Sequence, residues 1–264
     1  MRLIAPLLAL ALSLAPLSGL AQPKIIPAQI ASEEAQDHAV VRKAMQAGSF
    51  KGMAAFEKDL IAVLDHAPAQ YPQMERKGDV TTIRLMMGKA GKGTSILAGA
   101  VAAQNRTTAI GLNTYPMAAL LLGSLANERR DYRRAIAYLD RGLTLQPDNV
   151  TLMIERGAAM GQLRQFSDAL ALYERAEKLD FVTRDINLGD EARLMRAKGF
   201  VLIELKRLDE AEAAYGAALK LEPGHAQATA ELDYIRKLRA GGPQAEIGLI
   251  PGTPPPQASA PAKP

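Results

Sequence analysis

A glycine recurs in a fixed frame through the second half of this chain, and that recurrence limits the fold more than any other feature. Gly123 is followed twelve residues later by Ala135, and then by Pro147. Gly157 and Ala169 repeat the frame thirty-four residues on, and Gly199, Ala211 and Pro223 repeat it after a further forty-two. The first copy, PMAALLLGSLANERRDYRRAIAYLDRGLTLQP, reads as two amphipathic helices joined by a tight turn, with small residues where the helices touch. One such pair cannot bury its apolar face alone, so copies at a fixed period imply helix pairs stacked into a solenoid.

Residue by residue, the pattern resembles the tetratricopeptide repeat. The first copy carries Leu122, Gly123, Ala135 and Pro147, and the second Gly157, Ala169, Tyr173 and Ala176 without a closing proline. The third carries Gly199, Ala211, Tyr215, Ala218 and Pro223. The aromatic usual near the start of the first helix is missing, with Ala119, Met153 and Met195 in its place. The resemblance covers roughly residues 115 to 238, about half the chain. It implies a mainly α fold: a solenoid of three helix-turn-helix repeats, closed by a capping helix at about 225–238 that carries Ala228, Leu232 and Ile235 on one side.

The resemblance also implies where a partner would lie, because the first helix of each such repeat lines a concave groove. Helical spacing from each glycine then gives Met117, Leu120, Ser124 and Asn127 in the first repeat. The second repeat gives Thr151, Ile154, Glu155, Ala158 and Gln162, and the third Arg193, Arg196, Phe200 and Ile203. An apolar floor with scattered polar groups suits an extended or helical peptide. Some family members clamp a C-terminal carboxylate with lysine and asparagine on these faces. Leu120 and Ser124 stand at the corresponding first-repeat positions, so that clamp is not expected, although Arg193 and Arg196 are suited to meet an acidic group.

Ahead of the repeats the chain changes character twice. Residues 1–21 pair Arg2 with an apolar run from Leu3 to Leu14 and end in small residues, the pattern of a cleavable signal peptide cut after Ala21. The run is well short of the ~20 residues that span a bilayer, so no transmembrane helix is expected in the mature chain. With no cysteine anywhere, a lipid-modified N-terminus after Ala21, disulfides and thiolate metal sites are excluded. Residues 22–32 read as an extended lead-in containing Pro23 and Pro27. A helical hairpin follows, one helix from the Ser32 cap to about Gln46 and a second from Phe50 to His66. It is expected to pack on the first repeat, with a degenerate repeat as the other reading. Residues 79–112 then suggest a small α+β segment: strands at Val80–Met87 and Thr107–Leu112, with a crossover helix near Thr94–Gln104.

No constellation in this sequence carries recognisable chemistry. The loop Gly88–Ser95 has glycines placed as in a phosphate loop, but Thr94 stands where the lysine belongs, so a plain strand-to-helix turn is expected. His38, His66 and His225 are scattered, and no nucleophile elbow or metal spacing appears. A balance of 32 basic and 28 acidic residues, with 5% aromatics and no Trp, does not make a nucleic-acid footprint. Arg129, Arg130, Arg133, Arg134 and Arg141 cluster around the first repeat's turn and second helix, and read as a solvated face relieved by nearby acids. Residues 239–264 are Pro- and Gly-rich and are expected to be disordered, with Ile247–Ile250 as their one apolar spot.

The chain thus divides into a signal peptide (1–21), an N-terminal hairpin and α/β region (22–112), repeats with a cap (113–238) and a tail (239–264). The expected function is an exported, periplasmic protein-interaction scaffold that binds a protein or peptide in its groove, without cofactor, metal or catalysis. The alternative is a subunit or assembly factor of a cell-envelope complex, docked through the convex face or the N-terminal region.

Overall fold

The computed structural model describes residues 24–86, 92–104, 106–180 and 190–244. The expected signal peptide, residues 88–91 of the glycine loop, the 183–190 insertion apart from Asp190, and the Pro-rich tail beyond 244 lie outside the described residues.

Six helices build the repeats. They are α5 (Thr114–Glu128), α6 (Tyr132–Leu145), α7 (Val150–Gln162), α8 (Phe166–Glu177), α9 (Asp190–Glu204) and α10 (Leu208–Leu221), and α11 (Ala226–Arg239) follows as the cap. Each pair forms because its small residues let two backbones approach. Ala135, Ala169 and Ala211 are completely buried. The three glycines face a large side chain sixteen residues on. A Cβ on Gly123 would stand 2.8 Å from Leu139 Cγ, on Gly157 2.5 Å from Tyr173 Cζ, and on Gly199 2.6 Å from Tyr215 Cε2.

The turn inside each pair is built one way three times. Arg130, Arg164 and Lys206 have φ of 61°, 60° and 60°, each seven residues after its glycine. The next residue donates its N–H five residues back: Asp131 to the Ala126 carbonyl, Gln165 to Met160 and Arg207 to Leu202, at 2.9–3.0 Å. This is the Schellman closure, which satisfies carbonyls left open at a helix C-terminus and normally selects glycine. Here a basic residue occupies each position, a charge that the helix dipole favours at that end. Three of the helix starts are capped by side chains: Asp131 accepts from the Arg134 N–H, Asn149 from Leu152 and His225 Nδ1 from Ala228.

The hairpin before the repeats sits where a preceding repeat would. Its helices are α1 (Ala35–Met45), α2 (Phe50–Ala54) and α3 (Glu57–Asp65). The single second helix expected over 50–66 is interrupted at Ala55–Phe56, where both N–H groups turn back three residues, to Gly52 and Met53. Helices α1 and α3 both pack on α5, just as α5 and α6 pack on α7 and as α7 and α8 pack on α9. Val41, Ala44, Leu60 and Val63 therefore share a core with Met117, Leu122 and Leu139. His66 ends α3 with Nδ1 3.1 Å from the buried Asp37.

The α+β segment is a four-stranded sheet, where two strands were expected. The order is β1 (Lys24–Pro27), β4 (Thr107–Leu112), β3 (Val80–Leu85), β2 (Met74–Lys77). Strands β3 and β4 are parallel, joined through α4 (Lys92–Ala102), and β1 adds in parallel to β4. The hairpin β2–β3 closes on Gly78-Asp79, with Gly78 at φ 56°. Ile83 and Leu85 on the sheet are covered by Leu97 of α4. The lead-in is thus partly an edge strand, and the polar MERK stretch, which lacks strand composition, is the other edge.

The glycine–aromatic contact yields a direct test. Alanine at Gly157 gains up to about 1 kcal/mol of helix propensity, but its Cβ lands inside the ring of a tyrosine that is itself 1% exposed. Overpacking of this kind costs about 1–3 kcal/mol. Gly157→Ala is therefore expected to lower the melting temperature by several degrees in circular dichroism, and an unchanged or higher value would refute the contact.

Candidate functional site

The first helices of the repeats, α5, α7 and α9, stack side by side, and the positions expected to line the groove divide into two groups. Met117, Thr151, Ile154 and Ile203 are 1%, 6%, 2% and 2% exposed, so they belong to the core and are corrected from the groove. The cause is that each first helix is packed on more than one side. Met117 is covered by the N-terminal hairpin, and Ile154 shares a core with Leu194 and Leu202.

The accessible group runs along the stack. Ala158 and Gln162 on α7 are exposed, and Leu120, Ser124 and Asn127 on α5 are half-buried. Phe200 on α9 is half-buried and lies next to Gly161 of α7, where a Cβ would touch its ring at 3.5 Å. The Asn127 amide oxygen is buried without a hydrogen-bond partner. The expected anion-meeting arginines are already engaged: Arg193 pairs with Glu155 across α7 and α9, and Arg196 pairs with Glu222 at the end of α10.

Two carboxylates that sequence spacing did not single out stand at the C-terminal end of the stack. Glu204 closes α9, accepts a hydrogen bond from Gln244 Nε2 at 3.2 Å and feels Arg164. Glu231 comes from α11, the cap. Burial raises the pKa of both, and in Glu231 the charge of Glu204 raises it further. Spacing alone could have placed Glu204 four residues after Phe200, but no periodic signal brings Glu231 beside it.

Elsewhere several buried polar side chains join one element to another. Asn113 and Gln146 exchange two amide hydrogen bonds, at 2.7 and 2.8 Å. Gln146 also donates to the Tyr71 carbonyl at 3.0 Å, and Asn149 donates to Gln146 at 2.9 Å. All three amide side chains are buried, and they lock the sheet region to the loop between the first two repeats. Tyr71 and Thr114 both donate to Glu34 Oε1, at 2.6 and 2.5 Å. The arginine cluster is a joint as well. Arg129 and Arg134 meet Glu57, and Arg141 meets Asp65, so α3 supplies most of the acids that relieve it. Among the described residues, no three metal-ligating side chains converge, and no helix is long and apolar enough to cross a membrane.

The raised Glu231 carboxyl fixes the sign of a pH effect. Its folded pKa lies above the ordinary 4.5, so ionisation costs stability at neutral pH, and the cost disappears as pH falls below that value. Glu231→Gln is expected to raise the melting temperature at pH 7, with the difference from wild type closing by pH 4. A difference that persists at pH 4 would place its origin elsewhere.

Comparison with known proteins gives the repeats their family. The tetratricopeptide-repeat model matches residues 118–149 and 192–225. A STIP1 homolog from Dictyostelium discoideum is 24% identical over 119 residues, which is 45% of this chain and 21% of that protein, so the chain spans about a fifth of its relative. The first repeat domain of Spaghetti (RPAP3), solved with an HSP90 peptide, is 26% identical and superimposes with a TM-score of 0.39, covering 46% of this chain and 93% of its own. The repeat domain of Arabidopsis OM64 gives 22% and 0.41, covering 47% and 95%. A MamA double mutant gives 15% and 0.48, covering 80% and 87%. With two copies matched, and a third between them that has the same glycine contact and the same turn, the three helix pairs are tetratricopeptide repeats.

Proposed function

We propose that this protein is a non-catalytic interaction scaffold that seats a segment of a partner protein along α5, α7 and α9. The observation that carries this reading is the accessible strip of Leu120, Ser124, Asn127, Ala158, Gln162 and Phe200. It mixes apolar contact with unspent polar groups while the flanking charges are paired. Such a strip fits a helix or an extended peptide, which needs a few anchors and a few hydrogen bonds. The strip contains no lysine, so its ligand is not expected to be held by a charge clamp on a carboxylate. The absence of catalysis is supported by the fate of the polar side chains, since the buried amides, Glu34 and Asp37 all serve joints between elements.

Ala158 is the natural point of attack, because it is exposed and its replacement disturbs no packing. Ala158→Trp should fold as wild type by circular dichroism and lose at least tenfold in affinity for a partner purified with the wild-type chain. Equal retention of that partner by both proteins would end the groove reading.

Export to the periplasm is part of the same proposal and rests on residues 1–21. Expression of the full chain in a Gram-negative host should give a periplasmic product whose intact mass begins at Gln22. A cytoplasmic product that retains Met1 would overturn it. A second reading, docking through the convex face as a subunit of an envelope complex, is favoured by a recess on that side.

A further inference from the structure

An open recess of about 740 Å³ lies on the opposite side of the solenoid from the groove, between α6 and α8 with α7 as its floor. Its walls carry three guanidinium groups, Arg133 from α6, Arg156 from α7 and Arg175 from α8, against one carboxylate, Asp168. Met160 and Leu172 form part of an apolar base. Two of the arginines are anchored at one edge. Arg156 Nε reaches Asp140 at 2.5 Å, and Arg175 donates to the Pro147 carbonyl and lies 3.7 Å from Asp148. Arg133 is exposed and makes no ion pair among the described residues.

The molecule itself shows what such a surface accepts. On the other flank of α6, Arg134 and Arg141 receive a helix of this same chain, α3, through Glu57 and Asp65 eight residues apart. The apolar side of that helix, Leu60 and Leu64, goes into the core. The α6–α8 recess offers the same combination, guanidinium groups around an apolar base, and no helix of the described chain fills it. Its volume falls within the ordinary range for ligand sites. It is open along its length, and its cations are spread over three helices, an arrangement that suits several carboxylates along a peptide better than one headgroup on an alkyl chain.

We infer that this recess is a second docking site, for an acidic amphipathic helix of another protein that presents carboxylates and aliphatic side chains on one face. The scaffold then has two working faces, and this one does not depend on the groove reading. Association is steered by charge and weakens as salt rises.

The chain contains no cysteine, so a single introduced thiol reports occupancy without background. Ala171, exposed on α8 at the rim of the recess, and Ala158 in the groove are the two reporter positions. The probe is a synthetic 15-residue peptide with Glu and Leu at i,i+4 spacing on one face and Gln elsewhere, with a Glu-to-Lys counterpart as control. The acidic peptide is expected to slow maleimide alkylation of Ala171→Cys at least fivefold and to leave Ala158→Cys unchanged. Adding Arg133→Ala should weaken that protection at least threefold, with no cost in folding because this side chain has no ion pair to lose. Equal protection by the lysine peptide, protection of Ala158→Cys instead, or indifference to Arg133→Ala would each overturn the proposal. Dodecanoate protecting Ala171→Cys where the acidic peptide does not would also overturn it, in favour of a lipid-like ligand.

Discussion

Everything in the C-terminal half depends on three places where a helix backbone meets a large side chain with no Cβ between them. Gly123 against Leu139, Gly157 against Tyr173 and Gly199 against Tyr215 set the distance between the two helices of each pair. That distance in turn sets how the next pair stacks. Because protein interiors are packed to crystal density, a methyl group at any of these points would have to move an entire ring or an entire helix. The period of the sequence is therefore a record of contact geometry, and it survives the lengthening from thirty-four to forty-two residues because the extra residues fall between pairs and not inside one.

This explains what was legible in advance and what was not. The repeats could be read because each contact is local, made between residues sixteen positions apart and repeated three times. The sheet could be read only in part. Strand β1, Lys24–Pro27, pairs with β4 more than eighty residues later, and two prolines beside a short apolar stretch look like a linker when taken alone. Strand β2 is nearly all charge, as an edge strand tolerates, and charge gives no strand signal. Asn113, Gln146 and Asn149 resemble ordinary loop residues, yet their amides satisfy one another in the interior, where an unmatched one would cost about 1–3 kcal/mol. Local pattern does not mark a polar residue as buried when its partner is distant.

The groove illustrates the same limit in another form. Helical spacing from each glycine identifies a stripe on a cylinder, and the stripe is wider than the strip left open. Met117 lies on it and is still core, because the hairpin α1–α3 occupies the position of a repeat that the glycine frame does not announce. Phe56 stands in that hairpin where a repeat alanine would be, so the sequence match fails while the packing succeeds. Family frames follow the closest helix contacts, whereas stacking requires only a covered apolar edge.

Charge then separates scaffold from surface. Most arginines of the repeats and hairpin bridge successive elements: Arg141 to Asp65, Arg156 to Asp140, Arg193 to Glu155, and Arg239 to Asp209 and Glu212. Exposed pairs of this kind are worth only about 0–1 kcal/mol each, so their main effect is on register, since a slipped helix would set like charges against each other. Other charges of the solenoid stay outside these bridges, and two of them lie at the proposed docking surfaces. Arg133 on the outer side and Glu231 at the end of the inner side have no ion pair among the described residues, and they lie on opposite surfaces with opposite sign. Neither holds two helices together, so both are free to discriminate between partners. On the proposal of a second docking site, an acidic segment would be drawn to one face and repelled by the carboxylates at the end of the other. Under the same proposal, two charges of opposite sign would sort partners between the faces through electrostatics alone.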